Sequence, residues 1–224
     1  MKKKKPVTQA KKDLTSVIVF AVGHFFIMLS TFSVIATFKI IPRWVELFTL
    51  SIIPAVICFF IALLRLHKRN RPFFLALVTD GILLTVRLVA EIASTSTDGF
   101  YHTFAQSLPW ASQAILLTLY ITYIQGSYLL LKDKCPEKNI KKLKNCGFAF
   151  FLLTITGILV QIIALFPFVK NNILANNIFT YGSWGFDFAE VIFAMLICIN
   201  VIIGIHNIRK EELTNETKVE ELSK

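Results

Sequence analysis

The sequence predicts an all-α fold: a polytopic membrane protein of six transmembrane helices, with its N- and C-termini in the cytoplasm. Two observations lead to this prediction. Six apolar windows follow one another along the 224 residues, and 55% of all residues are hydrophobic, including 21 Phe. The basic residues, which give the chain a formal net charge of +10, are concentrated in every second connector between those windows. Both features argue against a soluble globular protein.

Each apolar window has about the 20 residues that a helix needs to cross a hydrocarbon core of ~30 Å. The connectors are short, so the windows form one transmembrane domain, 16–208, between a basic cytoplasmic arm, 1–15, and a charged cytoplasmic tail, 209–224. The first window exceeds the roughly 7–15 apolar residues of a signal peptide, so we expect it to be a retained helix. The predicted helices 1 to 6 are about 16–38, 44–66, 72–94, 109–131, 146–168 and 184–207.

The distribution of charge orients these helices. Of the 24 Lys and Arg residues, 20 lie in the segments 1–15, 65–71, 132–144 and 209–224. These segments share one side of a six-helix topology, as the positive-inside rule requires of cytoplasmic connectors. The basic excess therefore indicates a lipid bilayer as the partner and argues against nucleic acid. The abundant Lys, Phe and Ile favour the plasma membrane of a Gram-positive-type bacterium.

Helices 1 to 3 carry polar groups inside their apolar windows. Helix 1 contains His24, and helix 2 contains Glu46 near its outer end. Helix 3 contains Asp80, Arg87 and Glu91, whose spacings of seven and four place all three charges on one helical face. A charge that faces lipid costs about 2.5–3.5 kcal/mol on insertion scales, so this face is expected to look inward.

Helices 4 to 6 supply partners for that face. Helix 4 is the most polar window, and its Gln113, Tyr120 and Ser127 repeat every seven residues and so share a face. Helix 5 contains Gln161. Helix 6 opens with two acidic residues and carries Asn200 farther along.

Depth in the membrane follows from a helix rise of ~1.5 Å per residue. On this measure seven polar groups from five helices converge in the outer half of the bilayer as an acidic ligand-binding pocket: Glu46, Arg87, Glu91, Gln113, Gln161, Asp187 and Glu190. Arg87 and Glu190 match in depth and are the preferred ion pair. With every group ionised the layer would carry about −3, so a bound cation, protonated carboxyls or solvation at the outer rim must compensate. The alternative is a structural ion-pair network that fixes helix register.

A thinner inner polar layer is predicted from His24, Asp80, Gln125 and Asn200. A contact between His24 and Asp80 would set the imidazole tautomer and could relay protons. The alternative, which we favour for this layer, is that hydrogen bonds between helices satisfy each group.

These features favour a small transporter, or a substrate-binding membrane subunit, for a cationic or polar solute, working with other membrane or energising subunits. The size and topology are similar to those of the substrate-binding subunits of energy-coupling-factor transporters, a likeness of architecture that no motif in the chain carries. The chain lacks Gly-x-Ser-x-Gly, His-Glu-x-x-His and phosphate-binding Gly-rich motifs, and we predict no metal and no cofactor. Two alternatives stay open: an intramembrane or lipid-modifying enzyme, and a non-catalytic regulator or immunity or assembly partner.

Overall fold

The computed structural model describes the backbone of residues 9–36, 51–94, 99–164 and 166–222, with most of their side chains. Within these ranges the fold is all-α and no strand occurs. The helices are α1 (Gln9–Ala36), α2 (Ile52–Leu66), α3 (Arg71–Ser94), α4 (Gly99–Leu131), α5 (Glu137–Ala164), the single-turn α6 (Pro167–Lys170) and α7 (Ile173–Leu222).

Several helices extend beyond the apolar windows. Helix α1 begins at Gln9, α4 at Gly99 and α5 at Glu137, and α7 continues to Leu222 through a charged segment. The extensions of α1 and α5, and the C-terminal one of α7, contain Lys, Glu or Gln, which favour helices and hydrate well, so these helices continue past the apolar windows. The apolar windows of the sequence therefore indicate which part of each helix is apolar, but not where the helix begins or ends.

The six long helices form a closed ring in chain order. Helix α1 packs against α2 and α7, α3 packs against α2 and α4, and α5 packs against α4 and α7. Each neighbour along the chain is thus also a neighbour in space, as short connectors favour. The ring encloses a core in which aromatic side chains from several helices meet.

The outer surface of the ring is apolar. In their described parts, four helices are long and apolar enough to cross a membrane: Gln9–Thr31, Ser112–Leu131, Glu137–Ala164 and Ile173–Thr214. The described part of α2 is also apolar but has 15 residues. Large exposed apolar side chains occur on all six long helices, which is the reverse of a soluble protein and compatible with a membrane-embedded one.

Contacts at one end of the ring bring the basic segments together. The guanidinium of Arg69, in the α2–α3 turn, makes a paired salt bridge with Asp13 of α1. The side-chain amide of Asn70 donates to the carbonyl of Gly126 of α4 at 2.9 Å, and the Cys135 thiol donates to the carbonyl of Gly204 of α7 at 3.4 Å. We call this the basic end: the start of α1, the turns 67–70 and 132–136, and residues 204–214 of α7.

Candidate functional site

His24 lies at the centre of the ring and is fully buried. Its imidazole packs against Phe20 one turn earlier on α1, with ring centroids 5.0 Å apart, and against Phe59 of α2 at 4.8 Å. Gly23 makes this approach possible, because a methyl group at that position would lie 2.5 Å from the Phe59 ring. Helices α1 and α2 are therefore held close together around the imidazole.

Both nitrogens of His24 are engaged. Nδ1 lies 2.9 Å from the carbonyl oxygen of Phe20, and Nε2 is hydrogen-bonded to the hydroxyl of Tyr120 on α4. A carbonyl oxygen can only accept, so Nδ1 carries a proton, and Tyr120 donates to Nε2 when the imidazole is neutral. The contact considered between His24 and Asp80 is not formed, because Phe20 and Tyr120 occupy both ring nitrogens. For His24 the structure thus agrees with hydrogen bonding between helices.

A cavity of about 80 Å³ lies beside this hydrogen bond. Its polar lining comes from three helices: Asp80 of α3, Tyr120 of α4 and Glu190 of α7. Apolar side chains such as Leu83 and Leu116 form the rest of the wall. Asp80 is only 3% exposed. The structure therefore joins a carboxylate of the predicted inner layer and one of the predicted outer layer in a single cavity.

Glu190 reaches the cavity alongside α5. Its carboxylate lies near the Thr154 hydroxyl, and its Oε1 atom would be 3.4 Å from a methyl group placed on Gly157. Asp187, one turn earlier on α7, is exposed and does not line the cavity. Of these two neighbouring acidic residues, Glu190 lines the cavity and Asp187 does not, although its charge acts on Glu190.

Two glutamines of the predicted outer layer do meet. The side-chain amide of Gln113 on α4 donates to the side-chain oxygen of Gln161 on α5 at 3.0 Å. The other three members, residue 46 and the side chains of Arg87 and Glu91, lie outside the described residues. The proposed ion pair between Arg87 and Glu190 therefore stays a prediction.

The other two members of the inner layer are not in the cavity. Gln125 is exposed. The amide of Asn200 donates to the carbonyl of Leu196 at 2.9 Å and lies 3.5 Å from the sulfur of Cys146. Of the four residues predicted for the inner layer, Asp80 lines the cavity and His24 is hydrogen-bonded to Tyr120, which lines it too.

Tyr120 is the functional candidate that sequence reasoning did not select. It contacts His24, lines the cavity and packs its ring against Phe150 at 4.4 Å. The seven-residue repeat of Gln113, Tyr120 and Ser127 was the available signal, because it placed Tyr120 on the inward face of α4.

The described residues contain no group of three or more His, Cys, Asp or Glu side chains arranged to hold a metal ion. Comparisons of the chain with protein-family models, with characterised proteins and with solved structures found no match.

Proposed function

We propose that this chain is a six-span protein of a bacterial plasma membrane, of the Gram-positive type, whose central cavity binds a small cation. In this proposal both termini are cytoplasmic. The protein acts as a small transporter, or as the substrate-binding subunit of a larger membrane assembly that supplies energy.

The observation that carries the proposal is the cavity lined by Asp80, Tyr120 and Glu190. Acidic groups inside a membrane domain are costly and commonly mark ion or substrate pathways. A cation between two carboxylates and a phenolic oxygen would gain oxygen ligands, which hard cations prefer. The cavity is thus suited to a positive ligand.

The cavity volume limits the size of that ligand. Pockets for drug-sized molecules occupy roughly 300–1,000 Å³, whereas this cavity measures about 80 Å³. In this closed arrangement it accommodates a few water molecules, a metal ion or an ammonium ion. A larger organic cation would require the helices to separate.

The six-span topology is supported by α2 and α3. These are the two long helices that are not among the four described above as long and apolar enough to cross a membrane. Their described parts present apolar side chains to the exterior along their length. The Asp13–Arg69 salt bridge also places the α2–α3 turn at the same end as the start of α1. The exposed apolar side chains are Ile53, Ile57, Phe60, Ile61 and Leu64 on α2, and Phe74, Leu75, Val78, Ile82, Leu84, Leu88 and Val89 on α3.

A thermal-shift measurement on the purified full-length protein tests the cation site. Sodium, potassium, ammonium and calcium chlorides are compared at constant ionic strength. For a cation that binds the folded state, we expect the unfolding temperature to rise by about 5 °C or more at ~100-fold its Kd. Glu190→Gln should abolish the rise because it removes a cavity carboxylate.

Asp187→Asn is the matched control. It removes a carboxylate that is on the same helix but does not line the cavity. It should keep most of the rise, less only what the Asp187 charge adds at Glu190. An equal rise in the Glu190→Gln variant, or no rise with any cation, would contradict the proposal. Turnover of added phospholipid by the purified protein, without cation stabilisation, would favour the intramembrane enzyme instead.

A further inference from the structure

A groove of about 540 Å³ lies at the basic end, between the start of α1 and the end of α2. We call it the α1–α2 groove. Its walls carry Lys11 and Lys12 from α1, and Arg65 and Lys68 from the end of α2 and the following turn. All four side chains are exposed. The groove is separate from the central cavity and shares no lining residue with it.

The carboxylate in the groove is already compensated. Asp13 is 5% exposed and accepts hydrogen bonds from Nε and Nη2 of Arg69, the former at 2.8 Å, and from the Gln9 amide at 3.2 Å. This salt bridge ties α1 to the α2–α3 turn and so fixes the two walls relative to each other. Among the described residues, none of the four exposed cations forms a salt bridge with a carboxylate. The groove therefore keeps a net positive charge.

Apolar side chains continue from the groove along the outer surface of the ring. Ile18 on α1 is 43% exposed and Leu64 on α2 is 48% exposed, and both lie on the membrane side of the basic residues. Val22 and Ile57 extend the two apolar rows farther from the basic end. A ligand with a phosphate and acyl chains can place its phosphate in the positive groove and its chains on the apolar surface next to it. A soluble anion would contact only the groove.

We propose that the α1–α2 groove binds the phosphate of an anionic glycerophospholipid of the cytoplasmic leaflet. The lysine and arginine side chains surround the phosphate, and the acyl chains lie along α1 and α2. Basic pockets between transmembrane helices on the cytoplasmic side recognise lipid headgroups in this way. The inference depends on the membrane embedding proposed above and is independent of the cation cavity.

Native mass spectrometry of the delipidated full-length protein in detergent tests the site. Dioleoyl phosphatidylglycerol is titrated in parallel with dioleoyl phosphatidylcholine, and the first bound lipid is quantified. We expect tighter binding of phosphatidylglycerol. The double variant Arg65→Gln/Lys68→Gln should weaken it by about 30-fold, since each basic residue near a membrane surface contributes about fivefold. Lys11→Gln/Lys12→Gln, which alters the other wall, should weaken it similarly.

Lys141→Gln/Lys142→Gln is the matched control. It also removes two exposed positive charges near the basic end, but from α5 and outside the groove, so the first phosphatidylglycerol should bind nearly as in the unaltered protein. Equal weakening in all three variants would overturn the proposal, because attraction would then be diffuse. Equal binding of the two lipids, or full displacement by an equimolar concentration of glycerol 1-phosphate, would overturn it too.

Discussion

Two tyrosines one turn apart on α4, Tyr120 and Tyr123, differ in the hydrogen bonding of their buried hydroxyl groups. The Tyr120 hydroxyl is bonded to His24, whereas the Tyr123 hydroxyl lies near Ser127 and Cys198 without a well-formed hydrogen bond to a described residue. Both rings pack well, Tyr120 against Phe150 and Tyr123 against Phe20 at 4.1 Å. The two hydroxyl groups should therefore contribute differently to stability although their burial is similar.

Tyr120→Phe should lower the free energy of unfolding by about 1–3 kcal/mol, because it leaves Nε2 of a buried histidine without its donor. Tyr123→Phe keeps the stacked ring and removes a hydroxyl whose contacts with Ser127 and Cys198 are weak, so its loss should be smaller than that of Tyr120→Phe. Denaturant unfolding in one detergent, followed by circular dichroism, measures both. Equal losses would show that the bond to His24 has no particular role.

At the scale of the elements, close helix contacts depend on glycines that face aromatic rings. A methyl group on Gly23 would lie 2.5 Å from Phe59 and 3.2 Å from the carbonyl oxygen of Ala55, which is backbone. A methyl group on Gly126 would lie 2.8 Å from the Phe73 ring. These positions set the spacing of α1 with α2 and of α4 with α3.

Gly23→Ala should destabilise the protein by about 1–3 kcal/mol, because the added methyl forces α1 and α2 apart around His24. Gly81→Ala is the control: no described atom lies within 4 Å of its added methyl, and alanine favours a helix by up to about 1 kcal/mol. Thermal unfolding in detergent compares the two. A Gly23→Ala variant as stable as the Gly81→Ala variant would contradict this account of the α1–α2 contact.

The sequence predicted helices better than it predicted the site. Helix α3 spans Arg71–Ser94 against a predicted 72–94, because a basic turn limits its apolar window. Gln113 and Gln161 were expected in one layer because depth along straight helices can be counted in residues, although no pair between them was predicted. The arrangement around His24 was not predicted, because depth does not give the direction in which a side chain points. That direction depends on how each helix is rotated about its own axis within the ring of helices. The rotations of α1 and α4 bring Tyr120 next to His24.

At the scale of the whole molecule, six helices enclose polar groups and present apolar ones to the exterior. The basic segments gather at one end through the Asp13–Arg69 salt bridge and the contact between Cys135 and Gly204. A ring of this kind encloses its cavity within the membrane only if all six helices cross it. The side of the membrane on which the α2–α3 turn lies therefore distinguishes six spans from four.

Labelling of single cysteines in intact cells, in a background where Cys58, Cys135, Cys146 and Cys198 are replaced by serine, measures that topology most directly. Lys138→Cys should react only from inside and Asn171→Cys from outside, whether α2 and α3 cross or not. Lys68→Cys distinguishes the two cases. Six spans predict that it is protected from an impermeant maleimide until the cells are opened, like Lys138→Cys; labelling from outside, like Asn171→Cys, would contradict the account.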